Sequence, residues 1–422
     1  MGPDGEEIRL PYEFTGVKVY GTGVDAARVQ ASLGADGTAR ITLTDASGSA
    51  LMDIEALATR QADAAQLASL ARSAHRTPLL TCEWGEVAQD AEPSTTVRNA
   101  VIGEVVPGLP DGTPVHPDLD ALTAAVTDGA PIPDHAILHL PPTTGDPVEA
   151  THTLTATTLT TLQQWLADDR FTHTHLTVLT HHATTPTPDL AHAAIWGLTR
   201  SAQTEHPDRI TLLDTDTTTT TAATAAAGLH PIPDPTTLTR HPQLAWHNNT
   251  LTTPRLTPTT STNTRTGTST STGIEPQPNT FDPNGTVLIT GGTGTLGALL
   301  ARHLVTHHHV RHLHLTSRRG PNAPGATQLH NDLTTLGATV TITATDTTNP
   351  HTLKTLLTTL TTNPHPLTAI IHTAGTLNDA LLTHQTPHHL THTLTPKADT
   401  AHHLHHLTNQ LKTPLTHFIL YS

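Results

Sequence analysis

The chain has 422 residues, with 21 Lys and Arg against 36 Asp and Glu, a formal charge of −15. That balance argues against a nucleic-acid-binding surface, because affinity for a polyanion is carried by cationic side chains. The one cysteine, Cys82, excludes an internal disulfide, and no apolar run follows Met1 to suggest export or membrane insertion, so a cytoplasmic protein is expected.

At roughly 100 to 200 residues per domain the length suggests two or three domains. Hydrophobic residues make up 35% of the chain and aromatic ones 3%, while Pro and His each number 33. Such a bias fits either disorder or an ordinary fold whose surface uses few residue types.

Residues 8 to 60 read as a β-meander. Arg28 to Leu33 and Ala39 to Thr44 flank Gly34-Ala35-Asp36-Gly37, and Asp45-Ala46-Ser47-Gly48 leads to Leu51, Ile54 and Leu57. Residues 61 to 77 are Ala-rich and helix-prone, as in a connector. From Leu79 to Leu256 strands alternate with helical stretches, which predicts a parallel sheet. Its strands are expected at Val101 to Val106, Ala136 to Leu140, Leu176 to Thr180 and Ile210 to Asp214. The helix from Asp189 to about Glu205 is expected to pack Leu190, Ala194, Trp196, Leu198 and Ala202. No Gly-rich loop follows any of these strands, so this unit shows no means of holding a phosphate.

Residues 257 to 284 are almost entirely Thr, Ser, Asn, Gly and Pro, too polar to offset the entropy of ordering, and read as a linker. A second α/β unit then opens with Thr286 to Thr290. Its later strands are expected at Val310 to Thr316, Val340 to Ala344, Ala369 to Ile371 and Phe418 to Tyr421.

The chemistry concentrates in this second unit. After the strand ending at Thr290 comes Gly291-Gly292-Thr293-Gly294-Thr295-Leu296-Gly297, followed by an amphipathic run. Glycines allow a tight turn and close backbone approach, and a helix N-terminus offers free N–H groups, so the pattern is that of a pyrophosphate cradle. The next strand ends at Ser317-Arg318-Arg319-Gly320, where an NAD site would carry an acid; guanidinium groups there favour a 2′-phosphate and hence NADPH. Asp346, past the third strand, could accept from an adenine amino group or be a plain turn carboxylate. His372-Thr373-Ala374-Gly375 closes the fourth strand, where small residues would admit a nicotinamide ribose.

Together these residues resemble the short-chain dehydrogenase/reductase superfamily and, more narrowly, the ketoreductase of modular type I polyketide synthases. The run from Ala193 to Pro207 is similar to the signature helix of that ketoreductase's structural subdomain, and His241 to Ala245 with Pro254-Arg255-Leu256 to its closing segment. Leu10-Pro11-Tyr12-Glu13-Phe14-Thr15-Gly16-Val17 resembles a strand near the end of a polyketide synthase dehydratase, whose catalytic His and Asp lie upstream in the family. The resemblance implies two Rossmann-like parallel-sheet α/β subdomains, one structural and one NADPH-binding, preceded by a small antiparallel β segment from a hot-dog dehydratase. The implied division is 1–60 for the dehydratase end, 61–77 and 257–284 for connectors, 78–256 for the structural subdomain and 285–422 for the cofactor-binding one.

Site residues follow from the same resemblance. Lys397, in Leu394-Thr395-Pro396-Lys397-Ala398-Asp399, matches the ketoreductase lysine that assists a catalytic Tyr. His417 to Ser422 matches the strand leading into a Ser-Ser pair, with Ser422 the first serine, so the catalytic Ser and Tyr would follow it. The expectation is an incomplete active site whose last strand is an exposed edge prone to association. Leu377-Asn378-Asp379 stands at the Leu-Asp-Asp fingerprint of B-type enzymes; Asn378 departs from it and Asp379 agrees, which leans toward B-type ancestry, the plain alternative being a helix N-cap. The full domain would use NADPH, without a metal, to reduce a β-ketoacyl chain on an acyl carrier protein. A non-catalytic NADPH-binding or structural module remains open as an alternative. So does a metal-binding role for His307 to His309, His388-His389 and His402 to His406, although no Cys or clustered carboxylate accompanies them.

Overall fold

The computed structural model describes residues 9–21, 27–34, 38–61, 80–88, 97–106, 109–216, 230–258 and 281–421. The connector read over 61–77, Gln61 excepted, most of 257–284, and Ser422 lie outside them. The chain divides into two compact units, one of residues 1–81 with 256–267 and one of 82–255 with 268–422.

In the first unit, β1 (Arg9–Val19), β2 (Arg28–Leu33), β3 (Ala39–Thr44) and β4 (Ala50–Gln61) form an antiparallel sheet in the order β1-β4-β3-β2. The β3–β4 turn forms because Asp45 Oδ1 accepts from the Ser47 and Ser49 N–H groups at 2.8 and 2.9 Å. Leu51, Ile54 and Leu57 are buried.

The second unit begins with β5 (Leu80–Glu86), β6 (Asn99–Gly103), β7 (Val115–His116), α1 (Leu119–Thr127), β8 (His135–His139), α2 (Pro147–Ala167), β9 (His175–His181), α3 (Leu190–Glu205), β10 (Ile210–Thr215), α4 (Pro235–Arg240), β11 (Gln243–His247) and β12 (Thr250–Pro258). Strands β6 to β11 run parallel within a sheet ordered β5-β12-β11-β10-β9-β8-β6-β7, and β12 returns antiparallel to β11.

Helix α2 is the largest element that composition conceals. Its Thr residues are β-branched and poor helix formers. Their hydroxyls, however, bond the carbonyl one turn back, as Thr151 does to Pro147 at 2.7 Å and Thr155 to Thr151 at 2.7 Å. Asp146 caps the first turn through the N–H groups of Val148 and Glu149. Leu154, Leu159, Leu162 and Trp165 then bury one face, and Trp165 stacks on Phe171 at 4.5 Å.

The buried face of α3 agrees with the sequence expectation at Trp196 and Ala202 and differs at Leu190, Ala194 and Leu198. Ala191, His192, Ile195, Trp196, Thr199 and Ala202 are buried, whereas Leu190 is 48% exposed and Ala194 and Leu198 are half-buried. The helix starts at the Asp189 cap, whose side chain accepts from the Ala191 and His192 N–H groups, as expected, and polar His192 and Thr199 share its buried face. Several histidines are likewise core residues rather than surface ones. His139 Nε2 meets His181 Nε2 at 2.8 Å, and His192 Nε2 donates to the Pro141 carbonyl at 3.1 Å.

The remaining elements are β13 (Thr286–Thr290), α5 (Thr295–His307), β14 (His312–Ser317), α6 (Ala326–Thr335), β15 (Thr339–Ala344), α7 (Pro350–Thr361), β16 (Leu367–His372), α8 (Pro387–Leu394), a π-helical turn over Thr395–Asp399, α9 (Thr400–Gln410) and β17 (His417–Leu420). The sheet is parallel throughout, in the order β15-β14-β13-β16-β17. That is the doubly wound arrangement, whose strand order reverses between β13 and β16 and so opens a crevice at their C-terminal ends. Val287, Ile289, Leu313, Leu315, Ala369 and Ile371 pack with α5 and α6 on one face, while Leu288, Leu367 and Ile370 pack with α7 and α9 on the other. Among the described residues no helix is long and apolar enough to cross a membrane.

Candidate functional site

A cleft of about 690 Å³ occupies the C-terminal crevice of the second sheet, within the roughly 300–1,000 Å³ usual for cofactor sites. Its floor is the glycine loop after β13. Gly291 has φ +71°, and a Cβ there would lie 2.8 Å from the Ala374 nitrogen, so only glycine lets β13 and β16 close on each other. A Cβ on Gly297 would lie 2.6 Å from the Gly291 carbonyl, which fixes glycine at the first turn of α5. The loop is held by Gly292 N–H to Thr316 O and Gly294 N–H to Gly291 O, at 3.0 and 2.9 Å. No side chain caps α5, so its leading N–H groups and partial positive charge face the cleft.

The second wall is the end of β14. Ser317 turns the chain by accepting from the Gly320 N–H at 3.0 Å. Arg318 and Arg319 are exposed, line the cleft and make no ion pair among the described residues. No acidic residue stands at this strand end. Asp346 also lines the cleft, with Oδ1 engaged by the Thr348 N–H and hydroxyl at 3.0 and 2.7 Å, so the turn carboxylate and the cleft carboxylate are one group. Thr373, Ala374 and Gly375 complete the floor, tied to β13 by Thr373 Oγ1 donating to the Thr290 carbonyl at 2.7 Å.

Of the residues read from the sequence, Gly291, Thr293, Gly294, Ser317, Arg318, Arg319, Asp346, Thr373, Ala374 and Gly375 come together in this cleft. Thr290, Gly292 and Gly297 support it from beneath, and Leu296, 46% exposed, does not line it. Lys397 lays its stem over Gly375, where an added Cβ would meet its Cε at 2.8 Å. Leu377 and Asp379 are exposed on the loop after β16 and do not line the cleft. Asp379 caps no helix; α8 is capped by Thr386. That loop is pinned to the first sheet's helices, with Leu382 buried, its N–H donating to Glu205 Oε2 and its carbonyl accepting from Gln163 Nε2.

The far wall was not legible in sequence. It is built by His388, Thr391, His392, Thr395 and Pro396 from α8 and the turn after it, and only tertiary packing brings them opposite the glycine loop. Buried in the adjoining wall, Thr316 Oγ1 has no partner among the described residues. The fixed glycines and the uncapped helix fit the pyrophosphate of a dinucleotide. For the histidine tracts, no group of three or more His, Cys, Asp or Glu suited to a metal ion occurs among the described residues.

Comparison with known proteins agrees with this geometry. The family described as the KR domain matches residues 285–422, and that described as the Rossmann fold domain of the polyketide synthase extender module SpnB matches residues 82–256. The chain is a ketoreductase region of a modular polyketide synthase. This ketoreductase region is 37% identical over 431 residues to the spectinabilin polyketide synthase system protein NorA of Streptomyces orinoci, covering 99% of this chain and 21% of that protein. It is 34% identical to polyketide synthase GfsA of Streptomyces halstedii, covering 99% of this chain and 5% of the relative. The region thus spans about a fifth or less of these curated relatives. Among solved structures, PlmKR1, a ketoreductase from the first module of phoslactomycin biosynthesis in Streptomyces sp. HK803, is 26% identical with a TM-score of 0.61, over 82% of this chain and 73% of that one. A structure of A-type ketoreductases from a modular polyketide synthase is 29% identical with a TM-score of 0.61, over 81% and 74%. The ketoreductase fold is one that binds a nicotinamide cofactor.

Proposed function

We propose that the cleft binds NADPH and that the region serves reduction of a β-ketoacyl chain, carried as a thioester on an acyl carrier protein, to the β-hydroxyacyl form. The observation that carries this reading is the pairing, in one cleft, of an uncapped helix N-terminus over fixed glycines with two arginines at the strand end where an NAD site has an acid. In this reading the α5 N-terminus takes the pyrophosphate, Arg318, Arg319 and Ser317 take the 2′-phosphate, and Asp346 takes the adenine edge. When bound, the reduced nicotinamide supplies hydride to the carbonyl. Thr373, Ala374 and Gly375 give it room beside the backbone, and Lys397 supplies positive charge near the reacting oxygen. Leu377 and Asp379 lie on the loop that would guide the substrate, with B-type stereochemistry.

Residues 1–60 are proposed to be the end of a dehydratase, residues 78–256 the structural subdomain, and the other domains of the synthase the partners. The test is calorimetric titration with NADPH and NADH. The expected outcome is a preference for NADPH that R318A/R319A lowers about 10- to 100-fold, with NADH affinity unchanged; equal binding of both coenzymes, or of neither, overturns the reading.

A further inference from the structure

The helical segment that carries Lys397 departs from regular geometry at the lysine. Pro396 has no N–H to offer, and a proline ring crowds the carbonyl four residues back. That carbonyl, on His392, accepts instead from Thr376 Oγ1 at 2.7 Å. The chain makes a single π-helical turn over Thr395–Asp399, and the Thr400 N–H reaches back to the Thr395 carbonyl.

Two imidazoles grip this turn. His372 Nε2 lies 3.2 Å from the Lys397 carbonyl, and His372 Nδ1 lies 2.6 Å from Thr290 Oγ1. A carbonyl only accepts, so Nε2 carries the proton and the Thr290 hydroxyl donates to Nδ1. On the other side Asp399 is buried, with Oδ2 2.8 Å from His152 Nε2. His152 belongs to α2, which packs on the first parallel sheet and lies 247 residues away in sequence.

We infer that His152 is a positioning residue for Lys397. It holds Asp399, which fixes one end of the π-helical turn while His372 fixes the lysine carbonyl. Between these anchors the Lys397 stem is directed across Gly375 at the cleft floor. Helix α2, packed on the first parallel sheet, therefore contributes a specific contact to the turn that carries Lys397. The importance of Lys397 rests on the function proposed above; the dependence of its position on His152 does not.

The chain has four lysines, Lys18, Lys354, Lys397 and Lys412. Reductive methylation with ¹³C-formaldehyde of the full chain yields few dimethyl-lysine NMR signals, assignable by Lys→Arg substitutions. His152→Leu is expected to shift or broaden the Lys397 signal in the coenzyme-free protein and leave the other three in place. His152→Gln, whose amide can still donate to Asp399, is expected to restore it. Should His152→Leu fail to fold by circular dichroism, His152→Asn, polar but too short to reach Asp399, is expected to move the Lys397 signal in the same way. An unmoved Lys397 signal in a folded Leu or Asn variant, or equal behaviour of the Gln and Leu variants, overturns the inference. Addition of NADPH to the unsubstituted chain tests the other reading separately: an unmoved Lys397 signal at saturating coenzyme counts against the proposed function and leaves the His152 result standing.

Discussion

Gly291→Ala separates two contributions that the glycine loop combines. Gly291 has φ +71°, and the new Cβ would lie 2.8 Å from the Ala374 nitrogen and 2.9 Å from its Cα, both backbone atoms with no rotamer to yield. The left-handed backbone costs an L-residue about 1–2 kcal/mol, and forcing a methyl into packed structure costs about 1–3 kcal/mol more, so a loss of roughly 2–5 kcal/mol is expected. Gly325 is the internal control, with φ +76° and open space around its Cβ position; Gly325→Ala should lose only the backbone part, about 1–2 kcal/mol. Urea unfolding followed by circular dichroism measures both variants, and titration with NADPH measures the cleft. Gly291→Ala should also lower NADPH affinity at least about tenfold, since Thr373 and Ala374 must move, whereas Gly325→Ala should not. If the two variants lose the same stability, the close approach of β13 and β16 has no energetic role and the reasoning fails.

The buried histidines predict an acid limit. Burial pushes His135 down to about 3 and lowers His139, His175, His192, His314 and His372. A depressed imidazole is neutral in the fold and protonates first in the unfolded chain, so its contribution is present above about pH 6.5 and is lost as pH falls, by up to about 1.4 kcal/mol per unit for each group. Denaturation midpoints at pH 7.5 and 5.0 should therefore differ; a flat profile contradicts the burial. Asp214→Leu should destabilise by several kcal/mol, about 1–3 for each buried donor left unpaired, because Asp214 accepts from the Thr180 hydroxyl, the Ala183 N–H and both donors of Thr184; an unchanged unfolding curve would refute that. Leu377→Ala and Asp379→Ala, at exposed positions outside the cleft lining, should change stability by less than about 0.5 kcal/mol and leave NADPH affinity intact, as urea unfolding and calorimetric titration measure.

Local chemistry was the legible part of this chain. The glycine loop, the arginines after β14 and the small residues after β16 are each set by backbone constraints within a few residues, and they meet because parallel strands align their C-terminal ends. Helix α2 was hidden because its threonines satisfy the helix with their own hydroxyls, a pattern that propensity counts as unfavourable. The face of α3 is legible only in part, because polar His192 and Thr199 are buried on it and apolar spacing does not show that. His388, His392 and Pro396 could not be placed in the cleft from sequence, since packing rather than proximity in the chain brings them there. The His152–Asp399 contact spans the two sheets for the same reason.

Helix α2 serves two neighbours at once. Its apolar face belongs to the first sheet, while His152 and Gln163 reach Asp399 and the carbonyls of Leu382 and Gln385 in the second half. A cut made between Pro258 and Phe281 should consequently leave two fragments that co-migrate on gel filtration under native conditions and part only in denaturant, so that each half, expressed alone, would be missing a piece of its natural surroundings.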